Sequence, residues 1–292
     1  MESEAPMNTS KSCFIIGLPA AGKTSYLAAL AYSLEQQNIP TKLQWKSFSG
    51  NQQYLTKLAE KWLTAEPVDR TSFSLEQRSL SWCLSDDDDN KYNISFPDLS
   101  GETFQKQYVD REIDSVLAKM IIASDGLILF INPQGIIEPT LISQLPLSLR
   151  EDEKNDTSPK ERNQKIDDPT VVQIIVLLQD IAYLLKGKRM PLVVIVSAWD
   201  VVENSFTTPE DFVMKHTSLL WQFLKANNDI FNVSYYGVSA QGGKIETSEQ
   251  AEALIEQYEN NPWMRMSAID NLGVKSHDIT LPLWELLNKK ME

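Results

Sequence analysis

Gly17-Leu18-Pro19-Ala20-Ala21-Gly22-Lys23-Thr24 is the stretch from which the rest of the chain can be read. It satisfies G-x-x-x-x-G-K-[ST] at every fixed position. Ahead of it, Cys13-Phe14-Ile15-Ile16 is a continuous apolar run, as in a strand buried on both faces. Behind it, Tyr26, Leu27, Leu30 and Leu34 fall on one side of a helix predicted over Thr24 to Gln36. Strand, glycine loop and helix N-terminus together form an anion cradle. Gly17 and Gly22 let the backbone turn tightly. The backbone of Ala20, Ala21, Gly22, Lys23, Thr24 and Ser25, with the helix N-terminus, then faces the phosphates. Lys23 reaches the β and γ phosphates as a point charge, and the Thr24 hydroxyl is a Mg2+ ligand.

Outward from the loop, strand-like runs alternate with helical ones. Leu43 to Phe48 reads as a short strand, and Tyr54, Leu55, Leu58 and Trp62 repeat at helical spacing. Alternating residues on either side of Asp86-Asp87-Asp88-Asp89-Asn90 predict a hairpin over Ser72–Pro97, with a bulge near Glu76 to Ser79 where the phase slips. The four aspartates are explained by a solvated turn. Val109 to Ala123 reads as one helix, Gly126 to Ile131 as a buried strand and Val171 to Leu185 as a helix. Leu192 to Val196 follows as a strand, Glu210 to Ala226 as a helix, Val233 to Val238 as a strand, and Gln250 to Tyr258 as a helix. A last helix starts near Leu281, with Asp278 or Thr280 as its cap. The expected fold is α/β: a mostly parallel central sheet with one antiparallel edge strand and helices on both faces. Residues 1–10 read as a disordered tail, and 11–292 as a single domain with a charged, exposed insertion over Arg150–Asp168.

Composition narrows the function. The chain has 292 residues, with 27 Lys plus Arg against 40 Asp plus Glu, a formal charge of −13. That balance argues against broad contact with nucleic acid. Two cysteines, Cys13 and Cys83, read as buried thiols and form no disulfide framework. No signal peptide is recognisable, and the most apolar stretch is too short and too polar to span a bilayer. A cytoplasmic location is expected.

Three further segments follow the loop in order. Phe96-Pro97-Asp98-Leu99-Ser100-Gly101-Glu102 ends the hairpin's second strand. Asp98 there can hold the Mg2+ sphere from the side opposite Thr24, and Gly101 frees an amide for the γ-phosphate. Ser197-Ala198-Trp199-Asp200 ends a buried strand. A carboxylate at Asp200 can accept both the N1 and N2 protons of guanine, which adenine cannot supply. Ser239-Ala240 ends the next strand, where a backbone amide could bind the guanine oxygen.

In this order the four segments resemble the Ras-like branch of the P-loop GTPases. The wording from Gly17 through Leu30, and the ending His277-Asp278-Ile279-Thr280-Leu281-Pro282-Leu283, are similar more narrowly to the bacterial double-GTPase families. That resemblance implies GTP-dependent switching, with GTP and GDP as ligands and Mg2+ as cofactor. It also implies a role in defence against phage, alongside separate effector or adaptor proteins. Three departures stand out. Ser197-Ala198-Trp199-Asp200 replaces the family Asn-Lys-x-Asp, so the Lys that packs along the nucleotide is absent. Glu102 stands where the family has the water-orienting Gln. No pattern marks the switch threonine, for which Thr71 is chosen over Thr64. Arg70 and Arg111 could reach the site but read as surface arginines. The leading expectation is a slow Mg2+-dependent GTPase in which Lys23, Glu102 and Thr71 serve hydrolysis. A nucleotide-holding scaffold with little turnover, or an ATPase, are the alternatives. Trp199 is read as core in preference to a lid on the base.

Overall fold

The structure, a computed structural model, describes residues 11–36, 39–49, 52–66, 79–97, 101–139 and 162–289. Strand β1 (Cys13–Ile16) leads through the glycine loop into helix α1 (Lys23–Glu35). There follow β2 (Gln44–Ser49), α2 (Gln52–Leu63), β3 (Ser79–Ser85), β4 (Lys91–Pro97), α3 (Gly101–Asp110), α4 (Ser115–Ala123) and β5 (Gly126–Ile131). The second half alternates helix Thr170–Leu185, β6 (Met190–Ser197), helices Pro209–His216 and Ser218–Ala226, and β7 (Phe231–Ser239). It closes with helix Ser248–Gln257, the short strands β8 (Ser267–Ile269) and β9 (Lys275–Ser276), and helix Leu281–Asn288.

Six strands pair in the order β1-β5-β6-β7-β8-β9. The first four are mutually parallel and the last two antiparallel. The continuous apolar runs are explained by two-sided burial, because successive side chains point to opposite faces. Ile15, Ile128 and Val193 face α1 and the Leu281–Asn288 helix. Phe14, Leu129 and Val194 face α3, α4 and the helices Thr170–Leu185 and Ser218–Ala226. The fold is therefore α/β, a mostly parallel sheet with antiparallel strands and helices on both faces.

The hairpin does not join the main sheet as an edge strand. It pairs with β2 in a separate antiparallel sheet of order β2-β3-β4. Among the described residues, one parallel bridge, Lys11 to Tyr92, links it to the segment just before β1. The reason is local. Tyr92 and Ile94 on β4 turn into the core that surrounds α1. The Tyr92 hydroxyl is pinned by Asp86 at 2.6 Å and Asn288 at 2.9 Å. Asp86 also accepts the amides of Asp88 and Asn90, so the aspartate run is a hydrogen-bonded turn. A register shift falls in β2, between Trp45 and Ser47. The bulge expected near 76–79 lies largely outside the described residues, as do the N-terminal tail and most of the insertion.

Both long helices expected from periodicity are interrupted: Val109–Ala123 takes in only the last two residues of α3, a helix not expected, before α4 begins, and Glu210–Ala226 divides at Thr217. Between α3 and α4, Arg111 takes φ 57° and Asp114 accepts the amides of Val116 and Leu117 as an N-cap. Within the expected Glu210–Ala226 helix, Thr217 leaves helical geometry and its hydroxyl donates to the Val213 carbonyl at 2.9 Å. Of the two thiols, Cys13 is buried and Cys83 is only partly so, and both are free. Among the described residues, no helix is long and apolar enough to cross a membrane.

The residues around His277 to Leu283 tie the chain end to the first helix. Tyr26 of α1 donates to the Ile279 carbonyl at 2.9 Å. Asp278 accepts the Lys42 amide at 2.7 Å, and the Thr280 hydroxyl accepts the Leu43 amide at 3.2 Å. The charged insertion is anchored at its C-terminal end. Asp168 is buried and accepts from the Tyr108 hydroxyl on α3 and from Arg162. The Tyr108 hydrogen bond first, and then the Arg162 guanidinium, hold the Asp168 carboxyl below its usual range.

A carboxylate with a lowered folded-state pKa contributes stability above its unfolded pKa and loses it as pH falls through the folded value. Tyr108→Phe is expected to cost about 1.5–3 kcal/mol in urea unfolding at neutral pH, the range for a bond to a charged group. The gap from wild type should narrow on acidification. A gap independent of pH would show that the phenol contributes through packing alone.

Candidate functional site

Three of the four candidate segments, Gly17–Thr24, Ser197–Asp200 and Ser239–Ala240, lie at the carboxyl ends of the parallel strands, where open α/β sheets bind ligands. β1 ends at Ile16 before the glycine loop, β5 at Ile131, β6 at Ser197 and β7 at Ser239. The loop is shaped by two residues with positive φ. Gly22 takes φ 92° and Ala20 φ 61°. Glycine is required at position 22 by space as well as by conformation, since a Cβ there would lie 2.6 Å from the Ser197 Oγ. Ala20 has no such freedom, and its strained conformation is held from outside: the Asn132 side chain donates to its carbonyl at 2.9 Å.

Ser197 completes the brace. Its buried hydroxyl lies 2.8 Å from the Ala21 carbonyl and 3.3 Å from that of Ile131. The hydroxyl thus ties the loop to the ends of β5 and β6. This is the position where the sequence lacks the family Asn, and a shorter side chain still reaches the loop backbone. Asn132 was not singled out from the sequence. Its signal is an Asn-Pro pair directly after the apolar run of β5, the composition of a strand-to-turn transition.

Lys23 is buried in the first turn of α1, its Nζ donating to the carbonyls of Gly17 at 2.5 Å and Leu18 at 3.0 Å. Thr24 and Ser25 follow it, both partly exposed. An αL glycine with no room for a side chain, a helix N-terminus and a lysine at the loop together fit a polyphosphate chain.

At the ends of β6 and β7, Asp200 and Ser239 are brought together. The Ser239 hydroxyl donates to Asp200 Oδ1 at 2.5 Å and accepts the Gly242 amide at 3.1 Å. Ala198, in the place of the family Lys, adopts φ 46° and starts a short turn over Trp199–Val201. Trp199 is buried in the core. It lies against Gly237, where a Cβ would meet the indole at 2.3 Å, so it forms no lid over a base.

Glu102 is exposed on the first turn of α3. Two residues on, buried Phe104 packs edge-on against Phe14, with ring centroids 6.2 Å apart. Its ring also lies 5.9 Å from the Lys23 Nζ, so the start of α3 is held beside the phosphate loop. Gly101 is the first residue of that helix. Asp98 and Thr71 lie outside the described residues. Arg111 is exposed. Among the described residues, no cluster of three or more His, Cys, Asp or Glu side chains could hold a metal ion.

Behind the Ser239–Gly242 loop stand two residues that the sequence reading passed over. The Trp62 indole N–H donates to the Ala240 carbonyl at 2.6 Å. The Arg265 guanidinium lies 3.7 Å above the Trp62 ring, and burial pushes its pKa down to about 10.

The loop geometry yields a direct test. Gly22→Ala adds a methyl group against Ser197 in a conformation costing on the order of 1–3 kcal/mol for a non-glycine residue. Nucleotide affinity should fall at least about tenfold by calorimetry, a loss of 1.4 kcal/mol or more, while far-ultraviolet circular dichroism keeps its wild-type shape. Wild-type affinity in this variant would mean that the αL turn is not needed for binding.

No curated protein matches the chain. Among solved structures, the GTPase-like domain of Ski7 from S. cerevisiae, bound to GTP, aligns with a TM-score of 0.41 and 14% identity. The alignment covers 86% of this chain and 50% of that one, so this chain spans half the length of its structural match. The sequence itself matches the profile described as Double-GTPase 1 over residues 14–286. That span takes in the glycine loop, α3, Asp200 and Ser239, and the chain belongs to the Double-GTPase 1 family.

Proposed function

We propose that this chain is a Mg2+-dependent GTP-binding protein that hydrolyses GTP slowly and acts as a molecular switch. The observation that carries this reading is the pairing of Asp200 with Ser239 at the same sheet edge as a braced phosphate loop. Asp200 lies three residues beyond Ser197, whose hydroxyl touches that loop. A base bound at Asp200 and a triphosphate bound at Gly17–Ser25 can thus belong to one nucleotide.

Each residue then has a role. The backbone of Gly17, Ala20, Ala21 and Gly22 cradles the phosphates, and Lys23 leaves the loop carbonyls to meet the β and γ oxygens. Thr24 and Asp98 would hold Mg2+, which when bound neutralises charge developing on the phosphates. Gly101 offers its amide to the γ-phosphate, Thr71 senses it, and Glu102 orients the attacking water. Asp200 accepts from guanine N1 and N2, and the Ala240 amide donates to the guanine oxygen. Loss of the γ-phosphate would release the segments bearing Thr71 and Asp98, a change that a separate effector or adaptor protein could read. Through its likeness to the double-GTPase families, this reading extends to a role in anti-phage defence.

The guanine preference is tested by competing labelled GTP with ATP and xanthosine triphosphate. GTP is expected to bind at least about a hundredfold tighter than ATP, roughly 2.7 kcal/mol, because adenine covers the Asp200 carboxylate without supplying the two protons that guanine adds to the Ser239 hydrogen bond. Asp200→Asn should weaken GTP and improve xanthosine triphosphate, whose extra carbonyl accepts from an amide. Equal competition by ATP would overturn the guanine reading.

Hydrolysis is tested separately. Glu102→Ala should leave GTP affinity near wild type and lower the single-turnover rate. An unchanged rate would remove Glu102 from the mechanism. A wild type with no measurable turnover would favour a nucleotide-holding scaffold, the role to which an acidic residue in the Gln position points.

A further inference from the structure

We propose that Trp62 and Arg265 are positioning residues for base recognition, clamping the Ser239–Gly242 loop so that the Ala240 amide faces the base. The inference rests on the guanine site proposed above and adds to it a dependence on α2.

The clamp is continuous. The fully buried Trp62 is the last residue but one of α2, and its indole N–H donates to the Ala240 carbonyl at 2.6 Å. Fixing that carbonyl, with Ser239 already bound to Asp200, leaves the intervening Ala240 amide little freedom to turn away. Trp62 is itself held by two residues. Tyr32 of α1 lies against its ring, with centroids 4.5 Å apart. The Arg265 guanidinium covers the ring and donates to the backbone carbonyls of Trp62 and Leu63, the last residues of α2. The Arg265 backbone also closes the loop from beneath, for a Cβ on Gly242 would lie 2.2 Å from the Arg265 carbonyl oxygen. A buried cation on the carbonyl end of a helix is favoured by the helix dipole. Here it also fixes the side chain that holds the base loop. Because α2 packs along α1, the loop that reads the base and the helix that starts at the phosphates share one support.

The test uses Trp62→Phe, which keeps an aromatic ring for Tyr32 and Arg265 and removes the N–H donor together with the rest of the indole's second ring. Affinity is measured for GTP and for 6-thio-GTP, whose sulfur is a poorer acceptor at the position the Ala240 amide would meet. The expected result is a roughly fivefold loss for GTP, about 1 kcal/mol at 1.4 kcal/mol per tenfold, and less than about half that loss for 6-thio-GTP. The ratio of the two affinities therefore shrinks, which general destabilisation would not cause, since that lowers both alike. Arg265→Lys cannot span both carbonyls, and it should shift the same ratio in the same direction. It supplies the readout if the Phe variant does not fold. An unchanged ratio in a protein that still prefers GTP to ATP overturns the clamp and leaves the guanine site standing. A wild type that binds ATP and GTP alike overturns the guanine site, and the clamp with it.

Discussion

One buried hydroxyl, that of Ser197, decides where the phosphate loop sits. It lies at hydrogen-bond distance from the Ala21 carbonyl, within reach of the end of β5, and hard against the α-carbon of Gly22. A glycine-rich loop has many conformations available and loses more entropy on folding than other segments. It becomes a defined anion site only if something rigid fixes it. Here the rigid body is the parallel sheet, reached through Ser197 from β6 and through Asn132 from β5. The strands need to be apolar on both faces to hold those two residues at one edge, and the helices are needed to cover those faces. The recognition geometry thus depends on ordinary core packing one step removed.

The same economy shows at the ends of β6 and β7. Ser239 both holds Asp200 and accepts the Gly242 amide, so one hydroxyl orients a carboxylate and closes a turn. A strongly acidic chain repels an anionic nucleotide at long range. The local arrangement answers this with backbone amides, a helix N-terminus and Lys23, and requires no basic surface.

Features legible in the sequence are those written in consecutive residues. The glycine turn between β1 and α1 and the runs of β1, β5, β6 and β7 depend on local pattern, and each strand is found where its run lies, β6 and β7 being longer at both ends than their runs suggest. What escaped depends on residues far apart in the chain. Asn132 meets Ala20 across 112 residues, and Arg265 meets Trp62 across 203. No periodicity marks either meeting. The breaks at Asp114 and Thr217 were hidden for another reason: apolar residues keep helical spacing across them, and a cap overrides the pattern. β8 and β9 are three and two residues long, too short for alternation to register. The second sheet was missed because pairing partners cannot be read from alternation, which fixes only which side chains share a face.

Helix α1 is enclosed to an unusual degree for a helix that begins at a ligand site: ten of its thirteen residues, from Lys23 to Leu34, are buried. One side lies on the main sheet, while α2 and the residues Trp82, Tyr92 and Ile94 of the smaller sheet share the core around the rest. Among the described residues, solvent reaches it only near its ends, at Thr24, Ser25 and Glu35. Its amides belong to the last cooperative unit to open, and their hydrogen exchange should report on global unfolding, not on local fraying. A nucleotide held at its N-terminus would then slow that exchange through overall stability, by an amount set by ligand concentration over dissociation constant. Exchange along α1 is in this sense a built-in gauge of occupancy, readable without any assay of turnover.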